Sequence, residues 1–265
     1  MSKFKFILGA GIVATMMSAT AANAVITTFA QFSAGNAARN VRWVNSGTTK
    51  TSTANNTSSG TGGWFYSTSS ATANAPGISA VNFEFLQPAL ASLGIISANF
   101  FMDVTVAPPA PATTVGAFKI QNVATGSFSF TSTSAYTVGA TTYAAGSNLL
   151  TGTFSNSTIF GTSTSGSFSG TTVTYTSDFL SFGATNDRDF AMSLTSITPV
   201  IFASTGKALR SFRAVAGGSF SSEPAPIINA VPEPQVWGLL VVGFGMVGVQ
   251  VRRRARQTVV AAYQR

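Results

Sequence analysis

The sequence predicts an all-β body, an antiparallel β-sandwich or jelly roll, between an N-terminal signal peptide and one C-terminal transmembrane helix. Three observations favour this fold class. Apolar and polar residues alternate with a period of two in several runs, Gly, Asn and Ser clusters separate these runs, and two longer apolar stretches lie near the chain ends. Alternation places apolar side chains on one face of a strand, which must be buried against another sheet. Many short strands separated by turn residues are typical of sandwiches and jelly rolls.

The predicted strands follow from the alternating runs in order. The clearest runs carry their apolar residues at Val81, Phe83 and Phe85, at Met102, Val104 and Val106, at Phe128 and Phe130, at Val173 and Tyr175, and at Phe190, Met192 and Leu194. Between the first two runs, residues 84–100 contain spaced leucines that allow a helical turn, although Pro88 and Gly94 oppose it. The polar residues 46–63 read as a long loop, and residues 107–111 as a stiff proline-rich connector between two β subregions.

Four segments share a Gly-(Ser/Thr)-Phe-Ser core and begin at Gly126, Gly152, Gly166 and Gly218. A solenoid requires a fixed period, and these segments are unevenly spaced. We interpret them as similar strand starts with phenylalanine facing inward and hydroxyl groups outward. The alternative is that strands rich in Ser and Thr simply resemble one another.

Composition excludes several functional classes. The 265 residues include no Cys and no His, which removes thiol and imidazole chemistry and Cys/His zinc sites. The net charge of +8 is concentrated at the chain ends, because only eight Lys/Arg and six Asp/Glu lie between Val25 and Val231. A nucleic-acid-binding protein needs a clustered basic surface. The sequence therefore predicts no nucleic-acid partner, no metal and no cofactor.

The N-terminus has the features of an export signal. Lys3 and Lys5 precede a short apolar run, and Ala22-Asn23-Ala24 matches the small-x-small cleavage pattern. We expect residues 1–24 to be a signal peptide that is cleaved after Ala24. An uncleaved N-terminal anchor is the alternative, but the apolar run is short for a spanning helix of about 20 residues.

The C-terminus combines a proline-rich linker at residues 223–231, the tripeptide Pro232-Glu233-Pro234, Trp237 and an apolar stretch. This stretch, residues 236–251, is the predicted transmembrane helix, followed by a tail at 257–265. Its glycines and the arginines that close it are Gly243, Gly245, Gly248, Arg252, Arg253, Arg254 and Arg256. By the positive-inside rule the arginines stay cytoplasmic, which places the body, residues 25–222, outside the inner membrane.

The ordered features of residues 232–256 resemble the PEP-CTERM sorting signal of Gram-negative bacteria, a segment also known as the ice-binding protein C-terminal domain. Pro232-Glu233-Pro234 matches the family's tripeptide, Trp237 its tryptophan, and the glycines and arginines its span and stop-transfer cluster. The resemblance implies processing by an exosortase and a final place at the cell surface, often together with exopolysaccharide. A plain anchor that is never cut is the alternative, and the tail departs from most such signals.

No catalytic residue is predicted, and we expect the protein not to be an enzyme. Asp178 with Asp187 or Asp189 is the only dense group of carboxylates, and nothing in the sequence shows that they converge as glycoside hydrolysis requires. The run Asn186-Asp187-Arg188-Asp189 offers oxygen ligands of the kind that calcium prefers. A turn in which Arg188 balances two aspartates is the simpler interpretation.

The aromatic residues Trp43, Trp64 and Tyr66 flank the long polar loop. Exposed aromatic rings stack on sugars, so these three are candidate glycan contacts; buried anchors for the loop are the alternative. The sequence thus predicts an exported, exosortase-processed surface protein, or one associated with extracellular polysaccharide, without catalytic activity. A carbohydrate-binding or adhesive module is the competing function.

Overall fold

The computed structural model describes residues 26–36, 38–46, 59–73, 75–106, 108–183, 187–223 and 225–228, together with Val242, Phe244 and Met246. The predicted cleavage site Ala22-Asn23-Ala24 lies outside these residues. So do the sorting motif Pro232-Glu233-Pro234 with Trp237, the glycines Gly243, Gly245 and Gly248, and the arginines Arg252, Arg253, Arg254 and Arg256.

The described body is built almost entirely of antiparallel strands. They are β1 (Thr27–Ala34), β2 (Val41–Ser46), β3 (Gly62–Ser67), β4 (Ser79–Phe85), β5 (Ile95–Val106), β6 (Thr113–Val115), β7 (Phe118–Ser132), β8 (Tyr136–Val138), β9 (Thr141–Tyr143), β10 (Asn148–Thr162), β11 (Ser165–Gly170), β12 (Val173–Thr176), β13 (Leu180–Ser181), β14 (Asp187–Thr198), β15 (Phe212–Glu223) and β16 (Ile227–Ile228). A single 3₁₀ turn, Pro88–Leu93, precedes β5.

Eight strands close into an antiparallel barrel. The circle of hydrogen-bonded neighbours runs β1–β4–β5–β7–β10–β11–β14–β15 and returns from β15 to β1. The predicted β-sandwich or jelly roll is therefore wrong, because a sandwich consists of two separate sheets and this sheet closes on itself. The alternating pattern shows that one face of each strand is buried, and a barrel interior buries that face as well as a second sheet does.

The predicted C-terminal transmembrane helix, residues 236–251, lies outside the described residues except for Val242, Phe244 and Met246. Among the residues that the structure describes, no helix is both long enough and apolar enough to cross a membrane.

Forked strands give the barrel two different ends. One edge of β5 pairs with β4 through Ile95–Phe100 and with β3 through Asp103–Val106. In the same way, one edge of β15 pairs with β1 along one part of its length and with β2 along another. Strands β1 and β4 thus close the circle at one end, which we call the β1/β4 end. Strands β2 and β3 close it at the other, the β2/β3 end.

Aromatic rings fill the barrel. The phenylalanines of all four Gly-(Ser/Thr)-Phe-Ser segments, Phe128, Phe154, Phe168 and Phe220, are at most 5% exposed. Their ring centroids form a continuous chain of contacts, 5.1 Å from Phe128 to Phe220 and 5.7 Å from Phe154 to Phe168. Inward-facing phenylalanine with outward hydroxyl residues is the arrangement that the sequence predicted for these segments. Three of them are not strand starts, however, because Gly126, Gly152 and Gly218 lie inside β7, β10 and β15.

Glycine makes room for these rings. Gly152 on β10 is paired with Phe128 on β7, and a Cβ atom at Gly152 would lie 2.4 Å from Phe128 Cζ. Gly126 is likewise paired with Phe154 across the same two strands. Small and large residues therefore alternate across neighbouring strands, which fits bulky rings into a narrow barrel.

Both ends of the barrel are covered. At the β2/β3 end, residues 199–211 cross the opening and bury Ile201, Ala208 and Leu209. Three inward side chains satisfy the backbone of Leu209: Trp43 Nε1 and Asn45 Nδ2 donate to its carbonyl at 2.8 and 2.9 Å, and its N–H donates to Gln121 Oε1 at 3.1 Å.

At the β1/β4 end, the β8–β9 hairpin stacks the Tyr143 ring on Phe179, with centroids 4.0 Å apart. The 3₁₀ turn adds the buried side chain of Leu90. Pro88 begins this turn and Gly94, at φ +56°, ends it, so the residues that argued against a helix define its two boundaries. The predicted connector at 107–111 does not divide the body, because β5 and β7 on either side of it pair directly.

Candidate functional site

The three aromatic residues predicted to contact a glycan are buried. Trp43 is fully buried inside the barrel, and Tyr66 and Trp64 pack against each other on its outer side, 0% and 6% exposed, with centroids 4.5 Å apart. Trp64 Nε1 donates to Asp103 Oδ1, and the Tyr66 hydroxyl donates to the Ala73 carbonyl at 2.8 Å. In this arrangement the rings anchor the surrounding chain and offer no open face to a sugar.

The three aspartates of the dense group do not form one cluster. Asp187 and Asp189 point outward from β14, while Arg188 between them points inward and is 7% exposed. Asp178 Oδ2 accepts a hydrogen bond from Asn148 N at 2.7 Å, and so caps the start of β10. Asn186 lies outside the described residues. Within the residues that are described, no group of three or more carboxylates could hold a metal ion.

Arginines and a tyrosine form a row on the outer face near the β2/β3 end. The register pairs Thr198 with Arg213, Arg213 with Arg42, Arg42 with Tyr66, and Tyr66 with Asp103, across five neighbouring strands. Directly paired residues on one face have Cβ atoms about 5 Å apart. Two guanidinium groups are thus held side by side, where like charges repel each other.

The segment after β3 covers the middle of this row. Arg42 Nη1 donates to the Ala73 carbonyl at 2.7 Å and the Ala71 carbonyl at 3.4 Å, which leaves Arg42 only 2% exposed. The Tyr66 hydroxyl bonds to the same Ala73 carbonyl. Burial raises the pKa of Tyr66, and the positive charges of Arg42 and Arg213 oppose that rise.

Arg39 adds a third guanidinium group to the row. Its Nε donates to the Ser196 carbonyl at 2.8 Å and its Nη2 to Thr198 Oγ1 at 2.8 Å, while Arg213 Nη2 donates to the Arg39 carbonyl at 3.2 Å. The Nε of Arg213 is buried and has no hydrogen-bond partner. Burial lowers the pKa of Arg213, and the charges of Arg39 and Arg42 lower it further.

A small cavity opens beside these groups. It has a volume of 190 Å³ and is lined by Arg42, Ala71, Thr198, Pro199, Ser211, Phe212 and Arg213. Guanidinium groups, a threonine and a serine give the lining hydrogen-bond donors and positive charge. We call the cavity with Arg39, Arg42 and Arg213 the arginine cluster.

Charge is segregated between the two ends of the barrel. Six of the seven Lys and Arg in the described part of the chain lie in the half at the β2/β3 end: Arg39, Arg42, Lys119, Lys207, Arg210 and Arg213. Five of its six Asp and Glu lie in the half at the β1/β4 end: Glu84, Asp178, Asp187, Asp189 and Glu223. The body therefore carries a strong electric dipole along the barrel.

Sequence reasoning missed the arginine cluster. A near-balanced count of charges in the body suggested that no basic face exists, but the count conceals a separation along the barrel axis. Arg39 and Arg42 are 174 and 171 positions away from Arg213 in the chain, and only strand pairing brings them together. The one signal of the cluster was Arg42, which lies in a strand whose other residues are also buried. A charged residue is almost never fully buried without a partner, so an arginine at such a position indicates a polar contact.

Comparison with protein-family models, with curated proteins and with solved structures found no match to this chain.

Proposed function

We propose that this chain is an exported, exosortase-processed surface protein that associates with extracellular polysaccharide and has no catalytic activity. The observation that carries the proposal is the ordered C-terminal signal, Pro232-Glu233-Pro234 followed by Trp237, glycines and arginines, together with the N-terminal export signal. Both signals concern where the protein goes. The body adds a covered scaffold, whose interior is filled by its own side chains.

The linings of two hollows in the described residues support a role without catalysis. Ligand pockets usually have volumes of about 300–1,000 Å³ and converging polar groups. The hollow on the β10–β11 side has 470 Å³, but its lining of Asn156, Thr158, Ser169, Gly170, Thr171, Asp189, Phe190 and Ala191 includes one carboxylate. Glycoside hydrolysis requires two. The arginine cluster contains no carboxylate in its lining and supplies no general base.

The arrangement of the termini is consistent with a tethered or released surface module. Strand β1 starts, and strand β15 ends, at the β1/β4 end, where Thr27 is paired with Ser222. The linker after β15 stays there: β16 pairs with β13, and Gln87 Nε2 donates to the Pro226 carbonyl. A body held through this linker would present its opposite, basic end to the surroundings.

Cell fractionation with intact-mass analysis tests this proposal. We expect the wild-type protein to lack residues 1–24, to end near Pro234 and to travel with the polysaccharide fraction. A variant with alanine at Pro232, Glu233 and Pro234 should keep its C-terminal arginines and stay with the cell envelope. Pro224→Ala/Pro226→Ala, which changes prolines outside the motif, is the control and should behave like wild type.

Two results would contradict the proposal. One is a full-length 27.3-kDa chain in the cytosol of wild-type cells. The other is a triple-alanine variant that is processed and located as wild type is, because the motif would then have no sorting role.

A further inference from the structure

We propose that the arginine cluster is a binding site for an oxyanion, and that the carboxylate groups of an acidic extracellular polysaccharide are its natural ligand. The choice of a polysaccharide as carrier of the anion rests on the proposed function. The anion site itself rests on the geometry of three arginines and a cavity.

The first argument is the imbalance of charge within the cluster. Arg42 and Arg213 are direct cross-strand neighbours, and Arg39 contacts Thr198, which is the partner of Arg213 on its other side. The hydrogen-bond partners of Arg39 are a backbone carbonyl and a hydroxyl group, and that of Arg213 is a backbone carbonyl. Neutral acceptors leave the repulsion between Arg39 and Arg213 in place, whereas a bound anion would remove it.

The second argument is preorganisation. The carbonyl groups of Ala71 and Ala73 fix the Arg42 guanidinium, and Ser196 and Thr198 fix that of Arg39. Of these two arginines Arg42 lines the cavity, so an oxyanion that enters it meets donors whose positions are already set, and little side-chain entropy is lost on binding. Arginine is also the residue whose planar fork matches a carboxylate or a sulfate with two parallel hydrogen bonds.

The third argument is the field of the whole body. Among the described residues, six cations in one half of the barrel attract a polyanion to the β2/β3 end, and five carboxylates in the other half repel it from the β1/β4 end. The described part of the linker, residues 225–228, lies at the β1/β4 end. The charge distribution thus directs a polyanion to the end of the body opposite to its linker.

The size of the cavity indicates what part of the ligand enters it. At 190 Å³ it is below the range of pockets that enclose whole small molecules. It suits one charged substituent, such as the carboxylate of a uronic acid, while the sugar chain lies outside across the basic end. Successive carboxylates of the same polymer would be attracted by Lys207 and Arg210, which lie in the segment that covers this end.

The test measures binding of the full-length protein to polygalacturonate, neutral dextran and inorganic sulfate. We expect polygalacturonate to bind in a salt-dependent manner, dextran not to bind, and sulfate to raise the midpoint of thermal unfolding. Arg213→Gln should weaken polygalacturonate binding at least about tenfold, the effect of losing a charge-assisted hydrogen bond. Arg39→Gln is the second variant and should act in the same direction if Arg213→Gln does not fold.

Lys119→Gln is the matched control. It removes the same charge from the same end, but Lys119 lies on β7, where its Nζ donates to Thr114 Oγ1. Its effect on binding should stay within about twofold. Weakening by Lys119→Gln equal to that by Arg213→Gln would overturn the arginine cluster as a site and leave only a diffuse attraction to the basic end.

The other outcomes separate this inference from the proposed function. Sulfate binding that depends on Arg213, without polygalacturonate binding, supports the anion site and overturns the uronate polymer as its ligand. Duplex DNA that binds more tightly than polygalacturonate would overturn the polysaccharide assignment as well. Absence of binding to both sulfate and polygalacturonate overturns the site, while fractionation still decides the proposed function.

Discussion

Replacing Gly152 with alanine should strain the core at one defined point. A Cβ atom there would lie 2.4 Å from Phe128 Cζ and 2.8 Å from both Cε atoms of that ring. Carbon atoms normally approach to about 3.5–4.0 Å, so the ring must move by about 1 Å. The ring has little freedom to do so, because Phe190 and Phe220 pack on it with centroid distances of 5.4 and 5.1 Å.

Overpacking a dense core costs about 1–3 kcal/mol, and the closeness of the contact places Gly152→Ala at about 2–3 kcal/mol. Urea unfolding followed by circular dichroism would measure this loss as a lower midpoint at unchanged slope. Gly183→Ala is the control, because no atom lies within 4 Å of a Cβ atom at that position. It should change the free energy of unfolding by less than about 0.5 kcal/mol.

A double-mutant cycle identifies the contact responsible. Leucine at position 128 lacks the outer ring atoms that the new methyl group would meet, so Phe128→Leu should relieve the strain of Gly152→Ala. We expect the double variant to be more stable than the sum of the two single effects predicts, by at least about 1 kcal/mol. Additive effects, or a Gly152→Ala variant as stable as Gly183→Ala, would refute the packing of this barrel core.

Two further predictions concern buried polar groups. The side chain of Asn40 donates a hydrogen bond to the Ala216 carbonyl at 3.0 Å and accepts one from Ala216 N at 2.6 Å. Asn40→Ala would leave both backbone groups unsatisfied and should lower the free energy of unfolding by about 2–3 kcal/mol. An effect below about 0.5 kcal/mol in urea unfolding would contradict this. Burial, and next the charge of Asp189, raise the pKa of Tyr175 well above its ordinary value. Its contribution to stability is therefore complete below the unfolded tyrosine pKa of about 10 and is lost as the pH rises through the folded-state pKa. Tyr175→Phe should flatten the loss of stability above pH 10, and equal slopes for both proteins would count against the assignment.

Local sequence pattern predicted several of the strands and the side chains of those strands that face the core. Phe83 and Phe85 alternate with polar residues and are buried in β4, and the Gly-(Ser/Thr)-Phe-Ser segments point their phenylalanines inward. The pattern could not reveal which strands are neighbours. Closure of the barrel depends on Thr27 meeting Ser222 and Ala98 meeting Ser132, pairings that are not encoded in the alternation of any single run.

The arginine cluster was hidden for a related reason. Every residue of β2 is buried, because a later segment covers Arg42 on the outer side of the strand. The strand therefore shows no polar face, and Arg42 stands among apolar residues. The aromatic residues predicted to contact a sugar have the reverse error: their positions suggested exposed rings, but the rings are buried. Trp64 and Tyr66 lie on the outer side of their strand, as a binding surface requires, but they pack against each other beneath their neighbours.

The most direct test of the account is release of the protein from the extracellular matrix. Polysaccharide digestion of washed matrix should bring most of the processed protein into solution. In salt elution from undigested matrix, wild type should require more salt than Arg213→Gln, and Lys119→Gln should elute close to wild type. A protein that remains on the cell envelope after complete digestion of the polysaccharide would contradict the proposed association.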